Sequence, residues 1–192
     1  MKKILLIAAM AFTATAAFAQ PKFAHVNSTE LVQLCPEMDK ARETMTAASN
    51  EAQETFNDMQ AEFNSKYQTY QSKGSTWTDA IRQSKEKELT EIQQRLQEFS
   101  QTVQMELQQQ QEQLMQPIYQ KVNEVVQDLA KKGGYIYVFD IQSLVYVDPA
   151  QSFDLTADAR KALNIPADRT LESLAAELQA QQAAAQQAAA QQ

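Results

Sequence analysis

The sequence predicts a mainly α-helical fold with a small β body. A long antiparallel helical hairpin, forming a coiled-coil arm, is expected to project from a short-stranded assembly domain. Three observations predict this fold. The 192-residue chain contains only three glycines, Gly74, Gly133 and Gly134. Between them, residues 36–73 and 77–132 carry apolar side chains at helical spacing. Short runs of β-branched and aromatic residues flank this helical region, which is typical of strands.

Residues 1–19 have the features of a secretory signal peptide. A basic start precedes an apolar run over residues 4–16, and Ala17-Phe18-Ala19 is a small-x-small cleavage site. The run is shorter than the roughly 20 residues that a membrane-spanning helix needs. Gln20 follows the cut, where a lipid-anchored protein would have a cysteine. We therefore expect an exported protein, with residues 20–192 as the mature chain.

The composition argues against several kinds of partner. Without Lys2 and Lys3 the chain keeps 15 basic and 24 acidic residues, a formal charge of −9. This charge argues against nucleic acid, because phosphate binding needs clustered Lys and Arg, and against strong attraction to anionic lipid. The single cysteine, Cys35, allows no internal disulfide. Stability must therefore come from helix packing or from assembly with other chains.

The first elements are a strand and a long helix. Lys22–Asn27 (KFAHVN) is predicted as a short strand, and residues 28–35 as a linking segment. Pro36 suits a first helical turn, with Glu37 and Asp39 near the positive end of the helix dipole. Apolar residues then recur at spacings of three and four, which predicts a seam for a partner helix. They are Met38, Ala41, Met45, Ala48, Ala52, Phe56, Met59, Phe63, Tyr67 and Tyr70.

The turn and the second helix follow. Residues 73–76 form the predicted turn, and Thr76 with Asp79 resembles a capping box in which Trp77 opens the second helix. Because the turn is short, the two helices should lie antiparallel. The seam of the second helix is Ile81, Leu89, Ile92, Leu96, Phe99, Val103, Leu107, Leu114, Ile118, Val122, Val125 and Leu129.

The unequal lengths of the two helices predict where the arm meets the body. At 1.5 Å per residue the first helix would reach ~55 Å and the second ~84 Å, so the first ends opposite about Leu114. Pro117 removes a backbone hydrogen bond and clashes with the carbonyl of Gln113, which predicts a kink in the arm there. Residues 118–132 are then expected to pack on the sheet.

The remaining residues complete the body and add a tail. Tyr135–Asp140 (YIYVFD) and Leu144–Val147 (LVYV) predict a buried β-hairpin, and Thr156–Asn164 a short helix. Residues 179–192 contain only Ala and Gln, with no stripe to bury, so this end is expected to be frayed or mobile. The predicted domains are therefore a β-rich assembly body (20–35 and 114–165), the helical arm (36–113) and a mobile tail (166–192).

One copy of this body is too small to stand alone. Three short strands bury too little surface to offset their ordering entropy, and open strand edges favour aggregation. The simplest solution is that several chains pool their strands in one closed sheet; the alternative is a monomer that covers its own edges. The candidate assembly residues are Phe23, Val26, Ile136, Val138, Val145 and Val147.

The order of these elements resembles the Skp/OmpH family of periplasmic chaperones. The most specific segment runs from Tyr135 to Leu163, where an apolar strand ends in Asp140, a second ends near Tyr146, and Asp154-Leu155-Thr156 starts a helix. The opening strand is a weaker match, and the resemblance covers about residues 22–163. It implies a homotrimer whose three helical arms project from a β-rich body. Those arms would enclose a cavity that holds unfolded outer-membrane proteins without ATP.

This chain departs from the family pattern in two respects. Family members are often basic, which suits acidic lipopolysaccharide, whereas the mature chain is acidic. This difference argues against contact with lipopolysaccharide. The Ala/Gln tail beyond Pro166 also has no counterpart in the family pattern.

The sequence offers no constellation typical of an enzyme. The only histidine, His25, lies in the first strand, and the only cysteine, Cys35, precedes a proline. No Gly-rich phosphate loop and no metal-ligand spacing is present in the sequence. We expect a structural histidine, an inert thiol, and neither a cofactor nor a metal.

The function is therefore expected to lie in a surface. The candidate client contacts are Met59, Phe63, Tyr67, Tyr70, Trp77 and Met105, although the aromatic residues could instead fill the seam and cap the hairpin. The leading hypothesis is an ATP-independent holdase for unfolded envelope proteins. The alternative is a periplasmic coiled-coil adaptor or spacer that contacts a folded envelope partner through residues 73–77. A third hypothesis is association through the Gln-rich residues 101–120 and the tail without client binding.

Overall fold

The computed structural model describes residues 21–189, so the predicted signal peptide lies outside the described residues. The chain is mainly helical with one small sheet, as predicted. In chain order the elements are β1 (Lys22–Val26), α1 (Ser28–Leu34), α2 (Pro36–Lys73), α3 (Asp79–Gly133), β2 (Tyr135–Asp140), β3 (Ser152–Asp154), α4 (Thr156–Ala162) and α5 (Leu171–Ala189). Short 3-10 turns occupy Gly74–Thr76 and Ile141–Ser143.

The long helices α2 and α3 form the predicted antiparallel hairpin. The apolar seam lies between them: every predicted seam residue is buried or half-buried except Tyr67 and Ile81, and Ile92 is only 1% exposed. Ion pairs Lys66–Glu88 and Arg95–Glu62 flank the seam. A single apolar stripe between polar faces therefore determines this pairing, since only one side of each helix can be buried.

The turn between the helices differs in detail from the prediction. Thr78, not Thr76, is the N-cap of α3, and its hydroxyl oxygen accepts a hydrogen bond from the Ile81 amide at 3.4 Å. Trp77 precedes the helix instead of opening it. Residues 74–78 therefore connect the helices and shift their register. Near its start, α2 contacts Lys121 of α3 through Glu37, about two turns beyond the predicted Leu114.

Helix α3 is continuous through Pro117, and the kink predicted there stays a prediction. Beyond this proline, Ile118 and Val122 are buried, and Val125, Val126 and Leu129 pack against the same core. This segment therefore packs on the body, as the helix lengths predicted.

The sheet has the order β2-β1-β3, with both outer strands parallel to β1. The helical segment α1–α3 is the crossover between β1 and β2, which a parallel pair requires. The predicted hairpin of Tyr135–Asp140 with Leu144–Val147 is therefore wrong. Asp140 ends β2 by accepting a hydrogen bond from the Gln142 amide at 2.9 Å, and the strand beyond it on the chain is β3, on the far side of β1.

Leu144–Val147 forms no strand in this chain. Val145 is fully exposed and Val147 is half-buried. Within residues 21–189, neither β2 nor β3 has a strand partner on its outer edge. A segment with strand-forming side chains thus lies outside the sheet, and both outer strands of the sheet have a free edge within the same residues.

Helix α1 replaces the linking segment expected at residues 28–35. Asn27 caps it, since its side-chain oxygen accepts a hydrogen bond from the Glu30 amide at 3.1 Å. Leu31 and Leu34 are completely buried and lie at the centre of the core. The core joins β1, α1, the bases of both arm helices, α4 and α5. Its buried members are Val26, Leu31, Val32, Leu34, Cys35, Met38, Ala41, Ile118, Val122, Ala159, Leu163, Ile165 and Leu174.

The segment predicted as a mobile tail contains helix α5. Leu174 is 6% exposed and belongs to the core, and Leu178 packs against it. The start of this segment is therefore part of the body. Mobility of the Ala/Gln residues stays a prediction for 179–189, and residues 190–192 lie outside the described residues.

Candidate functional site

The candidate client contacts are spread along the arm. Tyr67 and Met105 expose 44% and 65% of their surface. The other four, Met59, Phe63, Tyr70 and Trp77, are half-buried. Met105 lies on α3, away from the other five, which occupy the outer part of the arm. The arm therefore presents dispersed apolar groups along its length instead of one pocket.

Aromatic pairs shape the outer part of the arm. Phe63 and Tyr67 stack with ring centres 5.8 Å apart, and Tyr70 meets Trp77 edge-on at 6.0 Å. The Tyr70 hydroxyl also donates to Glu86 at 2.5 Å, and this carboxylate raises the pKa of Tyr70. These rings thus pack against one another near the end of the hairpin and keep part of their surface in solvent, and their role as client contacts stays a prediction.

Charges near the tip neutralise one another. Lys66 pairs with Glu88 and with Glu62, and Lys85 pairs with Glu88 at 2.8 Å. Hydrogen bonds from Lys66 and then Lys85 lower the pKa of Glu88 to about 2. Since these lysines already have carboxylate partners, the tip is not a free basic surface.

A second apolar surface lies on the sheet. Phe23 and Tyr137 stack at 6.3 Å, Tyr137 contacts Phe139 at 5.9 Å, and Tyr135 contacts Phe153 at 5.4 Å. We call Phe23, Tyr137 and Phe139 the sheet aromatic face, because the strand register places them on one side of the sheet and Phe153, opposite Ala24, on the other. Tyr137, Phe139 and Phe153 are exposed in this chain. None of the three is among the predicted client contacts or the predicted assembly residues. The alternation of aromatic residues in YIYVFD was the signal that could have identified the first two.

The six candidate assembly residues divide between surface and core. Phe23, Ile136 and Val145 are exposed, and Val147 is half-buried. Val26 and Val138, in contrast, pack in the core of their own chain. Val145 and Val147 lie outside any strand, contrary to the prediction, because the chain turns at Ile141–Ser143 and leaves the sheet.

His25 is a structural side chain that joins two strands. Its Nδ1 lies 2.9 Å from the hydroxyl of Ser152, and its Nε2 lies 3.9 Å from Asp154. A hydrolase triad has the opposite arrangement, with the serine on Nε2 and the acid on Nδ1. This cluster therefore ties β1 to β3 and does not have the geometry of a nucleophilic site.

Cys35 is a buried free thiol between α1 and α2. Burial, together with a hydrogen bond to Glu37, raises the pKa of Cys35. Since the thiolate is the reactive form, this cysteine is poorly suited to nucleophilic chemistry.

The described part of the chain holds neither a metal-binding cluster nor a membrane-spanning helix. No cluster of three or more His, Cys, Asp or Glu side chains that could hold a metal ion occurs in residues 21–189. Across the same range, no helix has the length and apolar character needed to span a membrane.

Known proteins share both the sequence pattern and the fold. The family described as Outer membrane protein (OmpH-like) matches residues 22–163. Chaperone protein Skp of Yersinia enterocolitica is 26% identical over 163 residues, which cover 84% of this chain and 98% of that protein. A crystal structure of an OmpH-like outer membrane chaperone from Caulobacter crescentus CB15 has a TM-score of 0.67 at 16% identity, covering 76% of this chain and 85% of that chain. The structural likeness bears on the fold alone.

Proposed function

Since this chain belongs to the OmpH-like outer membrane protein family, a family of chaperones, we propose that it is an ATP-independent holdase of the periplasm. It binds unfolded outer-membrane proteins in a cavity between the helical arms of a homotrimer. The predicted signal peptide supports the location, and the name of the Yersinia relative supports the chaperone activity.

The observation that carries this proposal is the composition of the arm surface. Most seam residues of the hairpin are only half-buried, so some apolar surface stays accessible along the arm. Exposed Met105 and Tyr67 add flexible and aromatic contacts, which suit partners of varied sequence. Many weak contacts of this kind hold an unfolded chain without requiring a defined pocket.

The sheet supports the proposed trimer. The sheet aromatic face is exposed in one chain, and large exposed apolar surfaces mark interaction sites. Leu144–Val147 has strand-forming composition, with Val145 fully exposed, and the outer edges of β2 and β3 lack a strand partner within residues 21–189. Pairing these segments between copies would cover the edges and the rings together.

Light scattering and turbidity test the holdase directly. Purified mature protein is mixed with a urea-denatured outer-membrane β-barrel protein, which is then diluted from urea. We expect a soluble complex at near-stoichiometric amounts and strongly reduced turbidity. Turbidity that develops as fast as in buffer alone would contradict the proposal.

A matched pair of variants tests the arm surface. Replacing Tyr67 and Met105 together by Ser should weaken client holding, because it removes two exposed apolar contacts. Replacing their exposed polar neighbours Gln68 and Gln104 by Ser should leave holding unchanged. If both variants keep the barrel protein soluble equally well, Tyr67 and Met105 do not contribute to client binding. A single folded partner crosslinked at residues 73–77, with no effect on the barrel protein, would favour the adaptor hypothesis.

A further inference from the structure

We propose that the chain beyond the family match, residues 164–189, is a splint that fixes the angle between the first arm helix and the body. This segment, which we call the C-terminal splint, connects to the body on one side of the α1–α2 joint and to the arm on the other. The inference goes beyond the proposed function and does not depend on client binding or on assembly.

The joint itself is a single residue. Helix α1 ends at Leu34 and α2 begins at Pro36, and Cys35 between them has an extended backbone with φ −60° and ψ 136°. Proline has no amide hydrogen, so helical hydrogen bonding cannot run from α1 into α2 at this point. The direction of α2 relative to α1 therefore depends on contacts that cross the joint, in addition to the packing of α2 on α3, which continues into the body.

One contact across the joint connects α2 directly to α1. The Arg42 guanidinium of α2 donates to the backbone oxygen of Gln33 at 2.8 Å and to its side-chain oxygen at 2.7 Å. Arg42 also pairs with Asp39 at 2.9 Å. Asp39 is thus held on the side of α2 that faces the joint.

The C-terminal splint also binds Asp39. Arg169 donates to Asp39 at 2.6 Å, and both side chains are about two-thirds or more covered. Charged hydrogen bonds in such partly buried positions are stronger than exposed ion pairs. Asp39 therefore carries the contact between the arm and a segment outside the family match.

The same part of the splint is also fixed to the body. Arg160 of α4 donates to the carbonyl oxygens of Pro166 and Arg169 at 2.8 and 2.5 Å, and it pairs with Glu30 of α1. The Leu174 side chain is buried in the core. Because the splint is anchored to α1 and α4 while it holds α2, a pivot of the arm at Cys35 must break the Arg169–Asp39 bond.

The experiment measures arm orientation and local opening in the same purified chain. Spin labels are placed at Gln60 on α2 and Lys161 on α4, both exposed, and labelled chain is diluted with unlabelled chain. The variants are Arg169→Gln with Leu178→Ser, which loosens the splint, and a deletion of residues 169–192, which removes Arg169 itself. A deletion of residues 179–192, which keeps Leu174 and Leu178, is the matched control.

Both splint variants should broaden the Gln60–Lys161 distance distribution and speed amide exchange at residues 36–42 by about tenfold, since one charged hydrogen bond is lost. The control deletion should match the parent chain in both measurements. Amide exchange in β1 reports whether the body stays folded. If the deletion of 169–192 also speeds exchange in β1, the double substitution decides between a loosened splint and a loosened body. An unchanged distance distribution in the double substitution, with β1 intact, would overturn the proposal even if holdase activity persists.

Discussion

Glu37, in the first turn of α2, forms an ion pair with Lys121 of α3 and accepts a hydrogen bond from the Cys35 thiol at 2.7 Å. These two donors meet at one carboxylate where the arm joins the body. The pair thus holds the start of one arm helix against the other, about two turns from where the helix lengths alone had placed it.

This pair predicts an acid-dependent loss of stability. The thiol of Cys35, and then Lys121, lower the pKa of Glu37 from 4.5 to about 2. A carboxylate with a depressed pKa stabilises the folded state above its unfolded pKa, and this stability disappears as the pH falls through the folded value. Between pH 5 and 2, the free energy of unfolding should therefore fall more steeply in the parent chain than in Glu37→Gln.

Urea unfolding at several pH values, followed by circular dichroism, measures this difference. Glu124→Gln is the matched control, because Glu124 is exposed and has no ion pair among the described residues. Parallel curves for the parent chain and Glu37→Gln would show that the pair contributes no pH-dependent stability.

Two glycines should respond in opposite ways to the same substitution. Gly134 ends α3 with φ +68°, and alanine there is expected to cost about 1–2 kcal/mol. Gly74 is right-handed with φ −59°, and a methyl group added to it would point into open space, so alanine should be neutral or stabilise by up to about 1 kcal/mol. Equilibrium urea unfolding measures both, and a similar loss for the two would refute the backbone explanation.

The core around α1 gives a third prediction. Leu34 is completely buried, and Leu34→Ala should lower the free energy of unfolding by about 2–5 kcal/mol, since it leaves a cavity. Leu171→Ala removes the same atoms from an exposed position and should change it by less than about 0.5 kcal/mol. Equal effects in urea unfolding would mean that α1 does not form the centre of the core.

Assembly gives a fourth prediction. Tyr146 is 79% exposed in one chain, within the strand-like segment that we propose pairs with another copy. Tyr146→Lys should reduce the mass measured by light scattering from trimer to monomer while the helical circular dichroism is retained. Gln142→Lys, in the preceding turn, places the same charge at an exposed position and should leave the trimer intact. A trimer of unchanged mass in Tyr146→Lys would remove this segment from the interface.

The arm was predictable because the residues that specify it lie close to one another in the sequence. Each seam residue lies three or four positions from the next, and burial follows that spacing from Met38 to Phe63 almost without exception. The stop at Gly133 and Gly134 is likewise a short-range signal, and the structure has a left-handed Gly134 there.

The body was less predictable because its contacts are distant in the chain. YIYVFD and LVYV have equal strand character, and only the crossover through the helices makes β1, not LVYV, the partner of β2. Strand β3 spans only Ser152–Asp154, too short for an alternation to be recognised. Helix α1 was missed although Asn27 and Glu30 form its N-terminal signal, since its seven residues are fewer than a periodic pattern needs.

The central position of β1 also dictates an order of folding. Lys22–Val26 pairs on both sides with strands that follow the arm, Tyr135–Asp140 and Ser152–Asp154. The arm helices need only a short connection to meet, so their contacts form early, whereas β1 stays unpaired until residues far down the chain have been made. The first strand to emerge is therefore among the last to fold, and any interface that uses the sheet must form after the arm.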